Sequence, residues 1–222
     1  VRRFGKATAV DHLDLAVAPG EFYGLLGQNG AGKTTTIKMI VGLLRPTEGT
    51  AGIGEHDTWR HPVEVKRRIG VLPEELNLYE RLTGAELLDF TAALHGLPRR
   101  EATSRRNELL ELLDLADDAG KLVGDYSRGN KQKVGLVQAF MHRPRLLILD
   151  EPTGGLDPLH QETVTEMVRE ARDHGATVFF SSHILSEVQS LCERVGFIRD
   201  GRLVELAPVD ELPGMNTYTV EA

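Results

Sequence analysis

The stretch GQNGAGKT, residues 27–34, decides the fold class of this 222-residue chain. It matches the pattern G-x-x-x-x-G-K-[ST], in which backbone N–H groups surround the phosphates of a nucleotide. That pattern requires a strand before it and a helix after it. Residues 21–27 form a short apolar run that predicts a strand, and residues 33–44 carry apolar side chains at helical spacing. We therefore expect a phosphate-binding loop between a strand and a helix, and the correct flanks disfavour a chance glycine turn.

The residue types in this loop suit a triphosphate. Glycines at three of its positions let the chain turn tightly enough for successive N–H groups to point at phosphate oxygens. The following helix directs the positive end of its dipole at the same anion. We predict that Lys33 contacts the β- and γ-phosphates and that the Thr34 hydroxyl ligates Mg²⁺. The predicted nucleotide contacts are Gln28, Asn29, Gly30, Ala31, Gly32, Lys33, Thr34 and Thr35.

A second motif follows the apolar run at residues 146–149, which predicts a buried strand. Asp150 and Glu151 come directly after it, at the end of a strand where ligands of parallel sheets bind. We predict that Asp150 holds Mg²⁺ through its water shell and that Glu151 polarises the water attacking the γ-phosphate. Alone, two carboxylates after a strand would equally suit a solvated loop. The phosphate loop favours the functional interpretation.

Strands and helices alternate through much of the chain. Strands are predicted at 69–73, 146–149 and 177–180, and helices at 158–174 and 184–192. Such alternation implies a parallel sheet. Asp200 and Gly201 tolerate positive φ and separate two apolar runs, 195–198 and 203–206, which predicts an antiparallel hairpin.

Residues 75–141 differ in character, because three helical stretches occur there without an intervening strand signal. We expect a helical subdomain, 75–141, inserted into an α/β core formed by residues 1–74 and 142–222, all in one folding unit. The expected fold class is an α/β P-loop NTPase of RecA-like architecture. Its sheet is expected to be mostly parallel, with antiparallel additions.

Composition excludes several classes of protein. A hydrophobic content of 41% with 27% charged residues suits a globular chain rather than a disordered one. The formal net charge of −7 disfavours a nucleic-acid partner, because such partners are bound mainly through clustered lysine and arginine. No apolar run approaches the roughly 18 to 20 residues that a membrane-spanning helix needs. The chain starts at Val1, and we expect a short segment, such as a first strand, to precede it.

The single cysteine, Cys192, lies in an apolar helical stretch and is predicted to be a buried hydrophobe, since one thiol cannot form an internal disulfide. GTP is not the expected nucleotide. The nearest match to the guanine-reading pattern N-K-x-D is residues 130–133, where lysine replaces the carboxylate. The D-x-x-G match at 117–120 follows a helical run and predicts a polar connection.

Together these motifs resemble the nucleotide-binding subunit of ATP-binding cassette (ABC) transporters over essentially the whole chain. Beyond the phosphate loop and the two carboxylates, three matches carry the resemblance: Gly155-Leu156-Asp157 at the D-loop, His183 at the switch histidine, and YSRGN, residues 126–130, at the signature motif. Phe4 falls where the family stacks an aromatic ring on adenine, with core packing as the alternative. The other seven histidines are expected to be surface residues or satisfied core residues.

The resemblance implies that two cassettes, two copies of this chain or one copy and a homologue, enclose ATP between them. The phosphate loop of one would face Ser127 and Gly129 of the other, with Asp157 beside the nucleotide. It further implies that Lys33, Glu151 and His183 are catalytic, His183 through the γ-phosphate. ATP and Mg²⁺ are the implied cofactor and metal, and a separate transmembrane permease is the implied partner, which places the chain at the cytoplasmic face of the membrane.

Two departures from the family pattern refine this expectation. The usual signature L-S-G-G-Q reads Y-S-R-G-N here, which is similar to bacterial drug, antibiotic and polysaccharide exporters. Glu74 stands where the family commonly has a glutamine near the metal, with Glu75 as the alternative register. We expect Glu74 to add negative charge beside Mg²⁺ and to strengthen metal dependence.

The leading expectation is an ATPase that drives a membrane exporter. One alternative is a soluble ABC-type ATPase that is not coupled to transport, and another is a nucleotide-binding regulator without hydrolysis. No paired cassette, long coiled-coil insertion or basic surface favours the former. Intact Glu151 and His183 argue against the latter.

Overall fold

The computed structural model describes residues 1–212. Its strands, in chain order, are β1 (Arg2–Phe4), β2 (Ala7–Val10), β3 (Phe22–Leu26), β4 (Gly52–Ile53), β5 (His56–Asp57), β6 (Ile69–Leu72), β7 (Leu146–Asp150), β8 (Thr177–Ser182), β9 (Arg194–Arg199) and β10 (Arg202–Pro208). Its α-helices are α1 (Lys33–Ile40), α2 (Pro62–Lys66), α3 (Gly84–Leu94), α4 (Arg99–Leu112), α5 (Arg128–Phe140), α6 (Pro158–Asp173) and α7 (Leu185–Leu191).

A six-stranded sheet in the order β10-β9-β3-β8-β7-β6 forms the centre of the fold. The pairs β9–β3, β3–β8, β8–β7 and β7–β6 are parallel, and β10 is antiparallel to β9. Asp200 and Gly201 both have positive φ in the β9–β10 turn, as the hairpin prediction requires. The predicted mostly parallel α/β sheet with an antiparallel addition is confirmed.

Some element limits differ from prediction for local reasons. α1 ends at Ile40 rather than Leu44, because Gly42 has φ +72° and a side chain there would meet the Thr58 carbonyl oxygen at 2.7 Å. β8 continues to Ser182, two residues beyond the predicted strand, since its parallel register with β3 extends to Leu26. The small antiparallel pairs β1–β2 and β4–β5 had no prediction of their own.

Helices α3, α4 and α5 lie within the segment predicted to be a helical subdomain. Their buried leucines and valines share one hydrophobic cluster with side chains of the central sheet, such as Leu72 and Phe180. Cys192 belongs to the same cluster, as expected for a buried hydrophobe, and burial raises the pKa of its thiol to about 12. The division into 1–74, 75–141 and 142–222 stays a prediction, and residues 213–222 of it lie outside the described part.

No helix within residues 1–212 has both the length and the apolar character that crossing a membrane requires.

Candidate functional site

The predicted phosphate loop connects β3 to α1 at the carboxyl edge of the sheet. Two of its glycines are required by their surroundings. A side chain at Gly27 would approach the Ile198 carbonyl oxygen to 2.5 Å. Gly32 has φ +109°, and a Cβ at this position would lie 2.7 Å from the Ala9 carbonyl oxygen. These two glycines therefore let the backbone turn tightly at the start of α1, where the N–H groups of the loop can bind phosphate oxygens.

The predicted contacts occupy different depths of this loop. Lys33 is 6% exposed and Ala31 is also buried, whereas Gln28, Asn29 and Gly30 are exposed. The Lys33 ammonium donates to the Gly27 carbonyl oxygen at 2.6 Å. Thr34 and Thr35 lie half-buried on the first turn of α1.

The same ammonium lies 3.2 Å from Oε1 of Glu151, on the residue that follows β7. Glu151 has φ +50°, a left-handed conformation that is uncommon for a residue with a side chain. Its Oε2 lies 2.8 Å from Nδ1 of His183, just after β8. The structure therefore brings Lys33, Glu151 and His183 into one chain of contacts. β7 and β8 place the two acid–base groups side by side, because they are adjacent parallel strands.

Asp150 is fully buried at the end of β7. Its Oδ1 accepts a hydrogen bond from the Ser181 hydroxyl, whereas its Oδ2 is buried and has no hydrogen-bond partner among the described residues. Burial raises the pKa of Asp150, the negative charges of Glu74 and Glu151 raise it further, and the Ser181 and Thr34 hydroxyls oppose this. A cation beside Oδ2 would satisfy this oxygen and favour the ionised carboxylate.

Glu74 follows β6 and reaches the first turn of α1. The Thr34 hydroxyl donates to its Oε2 at 2.8 Å, so the structure brings Glu74 rather than Glu75 to the predicted metal ligands. Hydroxyl and carboxylate oxygens fit Mg²⁺, which takes few protein ligands and retains water or phosphate oxygens. Across residues 1–212, no group of three or more His, Cys, Asp or Glu side chains is arranged to hold a metal ion by itself. These oxygens therefore fit a metal that a nucleotide would coordinate in part.

Ser127 is the N-cap of α5, and its hydroxyl accepts from the Asn130 backbone N–H at 3.1 Å. A side chain at Gly129 would lie 3.5 Å from the Gly155 carbonyl oxygen, so the signature motif lies against the D-loop of its own chain. Asp157 caps α6 and accepts from the His160 backbone N–H at 3.1 Å. In the described part of the chain, no hydrogen bond joins Ser127 or Gly129 to the phosphate loop.

Phe4 ends β1 with 49% of its surface exposed and belongs to neither hydrophobic cluster. The Arg2 guanidinium carbon lies 4.4 Å from the ring centroid. The ring therefore lies at the surface with Arg2 over one face, and the core-packing alternative does not describe its position.

Two residues of this region are not indicated by the motifs. Glu187, in the first turn of α7, accepts from the Thr153 hydroxyl at 2.6 Å and from the Ser182 hydroxyl at 2.5 Å, so it ties together the segments that carry Glu151 and His183. An acidic residue four positions after the switch histidine is the signal that could have indicated it.

His160 is the second such residue, a largely buried histidine whose partners include Asp157 of the D-loop. Its Nδ1 lies 2.6 Å from Oδ2 of Asp157. The spacing of three residues at a helix start could have indicated this pair.

Comparisons with known proteins agree with this geometry. Residues 10–154 match the family model described as ABC transporter. The chain is 41% identical over 221 residues to the bacitracin transport ATP-binding protein BcrA of Bacillus licheniformis, covering 99% of this chain and 71% of that protein. It is 40% identical over 211 residues to the daunorubicin resistance ATP-binding protein DrrA3 of Streptomyces coeruleorubidus, covering 95% of this chain and 67% of that one.

Solved structures show the same fold. One is a structure of the ATP-binding subunit of an ABC transporter, with a TM-score of 0.88 and 34% identity over 93% of this chain and 86% of that chain. Another is the dimeric structure of MJ0796, described as a bacterial ABC transporter cassette, with a TM-score of 0.85 and 25% identity over 93% of this chain and 94% of that chain. Because the family model spans residues 10–154 and relatives about 40% identical match nearly the whole chain, the chain belongs to the ABC transporter family, as one of its ATP-binding cassettes.

Proposed function

We propose that this chain binds and hydrolyses ATP to drive an exporter through a separate transmembrane permease. The convergence of Lys33, Glu151 and His183 on one end of the phosphate loop carries the proposal. An ammonium that can bind phosphate oxygens lies beside a carboxylate that can polarise water, and an imidazole orients that carboxylate.

The division of work among these residues follows from their chemistry. The loop N–H groups and Lys33 bind the phosphates, and the half-exposed ring of Phe4 stacks on adenine. Glu151 accepts a hydrogen bond from the attacking water and aligns it with the γ-phosphate, while His183 holds the Glu151 carboxylate and contacts the same phosphoryl group.

Thr34, Asp150 and Glu74 would hold Mg²⁺, because their oxygens fit this metal and Asp150 Oδ2 accepts no hydrogen bond from residues 1–212. When bound, the metal neutralises charge on the phosphate oxygens during transfer.

A second copy of this chain, or a homologous cassette, completes the site. Ser127, Gly129 and Asp157 make no hydrogen bond to the phosphate loop within residues 1–212, and in the proposed pair they face the nucleotide of the other copy. ATP would then favour the closed pair, since it contacts both copies only there, and hydrolysis would release it. The dimeric cassette of similar fold supports this arrangement.

The permease is proposed to bind around the segment that follows β6 and along α3. Tyr79, Phe90 and Leu94 are large apolar side chains there with 42% to 67% of their surface exposed, and the Tyr79 and Phe90 rings meet edge to face at 5.6 Å between centroids. Because Tyr79 follows Glu74 by five residues, a permease bound to this apolar surface would be connected along the chain to the metal site. The chain would thus be peripheral, at the cytoplasmic face of the membrane.

The direction of transport is proposed from relatives. Daunorubicin resistance and fluoroquinolone export appear in the names of proteins 39% to 40% identical to this chain. These names do not favour the alternative of an ATPase uncoupled from transport. The net charge of −7 continues to disfavour a nucleic-acid partner.

The substitution Glu151→Gln tests the proposal. It removes the charge that polarises water while keeping the shape of the side chain, so we expect steady-state ATP hydrolysis to be lost and an ATP-bound dimer to accumulate in size-exclusion chromatography with Mg²⁺. Glu111→Gln is the matched control, because Glu111 is exposed on α4 and its side chain forms no hydrogen bond in the described range. An unchanged rate in Glu151→Gln would mean that another group is the base. Calorimetry that detects no uptake of ATP with Mg²⁺ by the unmodified chain would overturn the whole proposal.

A further inference from the structure

His160, on the first turn of α6, lies between the D-loop and the signature helix α5. Its Nδ1 lies 2.6 Å from Oδ2 of Asp157, and its Nε2 lies 2.6 Å from the Nζ of Lys133 on α5. Oδ2 of Asp114, in the turn after α4, lies 3.4 Å from the same Nε2. The imidazole thus contacts groups from three different parts of the chain.

The partners determine which nitrogen of His160 carries the proton. An ammonium group only donates hydrogen bonds, so Nε2 must accept from Lys133. The neutral ring then has its proton on Nδ1, which donates to the Asp157 carboxylate. His160 therefore links a cation on the signature helix to the anion of the D-loop. The side chain of His160 is 12% exposed and Lys133 is 7% exposed, so water competes little for either bond.

A second link joins the same two elements. Gln132, the neighbour of Lys133 on α5, is buried, and its Nε2 donates to the Pro152 carbonyl oxygen at 3.1 Å. A Cβ placed at Gly129 would lie 3.5 Å from the Gly155 carbonyl oxygen, so the start of α5 also lies near the D-loop. Gln132 fixes the start of that segment and His160 fixes its end, so α5 and the D-loop are held as one unit.

We propose that His160 is a positioning residue that holds Asp157 at a fixed place relative to the N-terminus of α5, so that Ser127, Gly129 and Asp157 engage a second copy of this chain together. This inference rests on the proposed ATP-dependent pairing. A loosened D-loop would have to be ordered during pairing, and that entropic cost would raise the ATP concentration that pairing needs. ATP binding to a single copy depends on the phosphate loop, which His160 does not contact, and would be unaffected.

The experiment uses the Glu151→Gln chain as the parent, in which the dimer accumulates. ATP is titrated with Mg²⁺, and the dimer fraction is measured by size-exclusion chromatography with light scattering. In His160→Ala we expect the midpoint ATP concentration to rise about tenfold, since two hydrogen bonds to charged groups are lost. Binding of a fluorescent ATP analogue to dilute, monomeric protein is expected to stay within about twofold of the parent.

Two variants test whether His160 must bond to both Lys133 and Asp157 or only to Asp157 within its own helix turn. His160→Asn keeps a donor near Asp157 but cannot reach Lys133, and His160→Gln keeps an acceptor near Lys133 but does not place a donor on Asp157. A bridging role requires both bonds, so both variants should show most of the rise in midpoint ATP concentration seen in His160→Ala. Lys133→Met should produce a similar rise, and combining it with His160→Ala should add little. His174→Ala is the matched control, because His174 ends the same helix and bonds only to the Glu170 carbonyl oxygen within it.

A His160→Ala chain that pairs at the parent's ATP concentration would overturn the inference while leaving the proposed function intact. Complete rescue by His160→Asn would also overturn it, because the contact with Lys133 would then be dispensable. A parent chain that binds ATP and never pairs would overturn both the inference and the pairing on which it rests.

Discussion

Asp150 is the most deeply buried carboxylate of the site, and within residues 1–212 nothing donates a hydrogen bond to its Oδ2. Its environment is negatively charged: burial raises the pKa of Asp150, and the charges of Glu74 and Glu151 raise it further. Such a group is costly to keep ionised without a cation nearby. A buried carboxylate in this environment therefore fits the Mg²⁺ that we propose for the site.

The charge of Glu74 should affect how much Mg²⁺ the protein needs for ATP hydrolysis. Glu74→Gln removes a negative charge next to Thr34 while keeping an acceptor for its hydroxyl. We expect the Mg²⁺ concentration that gives half-maximal ATP hydrolysis to rise about fivefold, because the cation loses one nearby anion in a partly solvated site. The measurement is a Mg²⁺ titration at saturating ATP. Glu75→Gln is the control and should leave the midpoint unchanged; equal midpoints for both variants and the parent would contradict a role for Glu74.

At the scale of elements, the contact between β6 and α5 depends on the absence of a side chain at Gly70. A Cβ at that position would lie 2.0 Å from the Ala139 carbonyl oxygen and 2.8 Å from Pro144. Backbone atoms cannot rotate out of the way as a flexible side chain can. The close approach sets how α5, which begins at the signature motif, lies on the sheet.

Gly70→Ala should therefore displace α5 from the sheet and destabilise the fold. We expect a loss of about 3 kcal/mol in the free energy of unfolding, at the upper end of the usual cost of overpacking. Urea denaturation followed by circular dichroism measures it. The matched control is Gly120→Ala, because a Cβ at Gly120 meets no atom within 4 Å and should change the midpoint little. Equal midpoints for the two variants would show that β6 and α5 separate without cost.

For the whole molecule, a pair of stacked histidines links stability to pH. The rings of His95, after α3, and His142, after α5, are 3.5 Å apart between centroids and 12° from parallel. The pKa of His142 is lowered to about 4, mainly by burial and also by the charge of His95, while the hydrogen bond to the Ile69 carbonyl oxygen opposes this. Burial also lowers the pKa of His95. Both rings are therefore neutral in the fold over a range where they are protonated in the unfolded chain.

Because the folded pKa of His142 is below its unfolded value near 6.5, the unfolded state binds more protons between pH 6.5 and 4. Stability is therefore complete above pH 6.5 and is lost as the pH falls toward 4, by about 2 kcal/mol for this partly exposed ring after screening by solvent. We expect His142→Gln, which keeps a donor for the Ile69 carbonyl oxygen, to flatten this part of the stability curve. Denaturation at several pH values compares the slopes, and parallel curves for parent and variant would contradict the assignment.

Much of the fold could be predicted from local sequence. The strand-loop-helix around residues 27–34, the strand before Asp150 and the turn at Asp200 are each encoded within a few residues, by glycine conformation and apolar periodicity. The ends of helices and strands were harder to predict, because tertiary packing sets them. The end of α1 is an example, since Gly42 lies close against Thr58 there.

The class of chemistry could be predicted from the residues alone, through a phosphate loop, a pair of carboxylates and the motifs that resemble an ABC cassette. Tertiary structure alone decided which of Glu74 and Glu75 meets Thr34, that Phe4 lies outside the core, and that His160 joins Lys133 to Asp157. The physical reason is distance along the chain. A loop conformation depends on neighbouring residues, whereas contacts across tens of residues exist only after strands have paired and helices have packed.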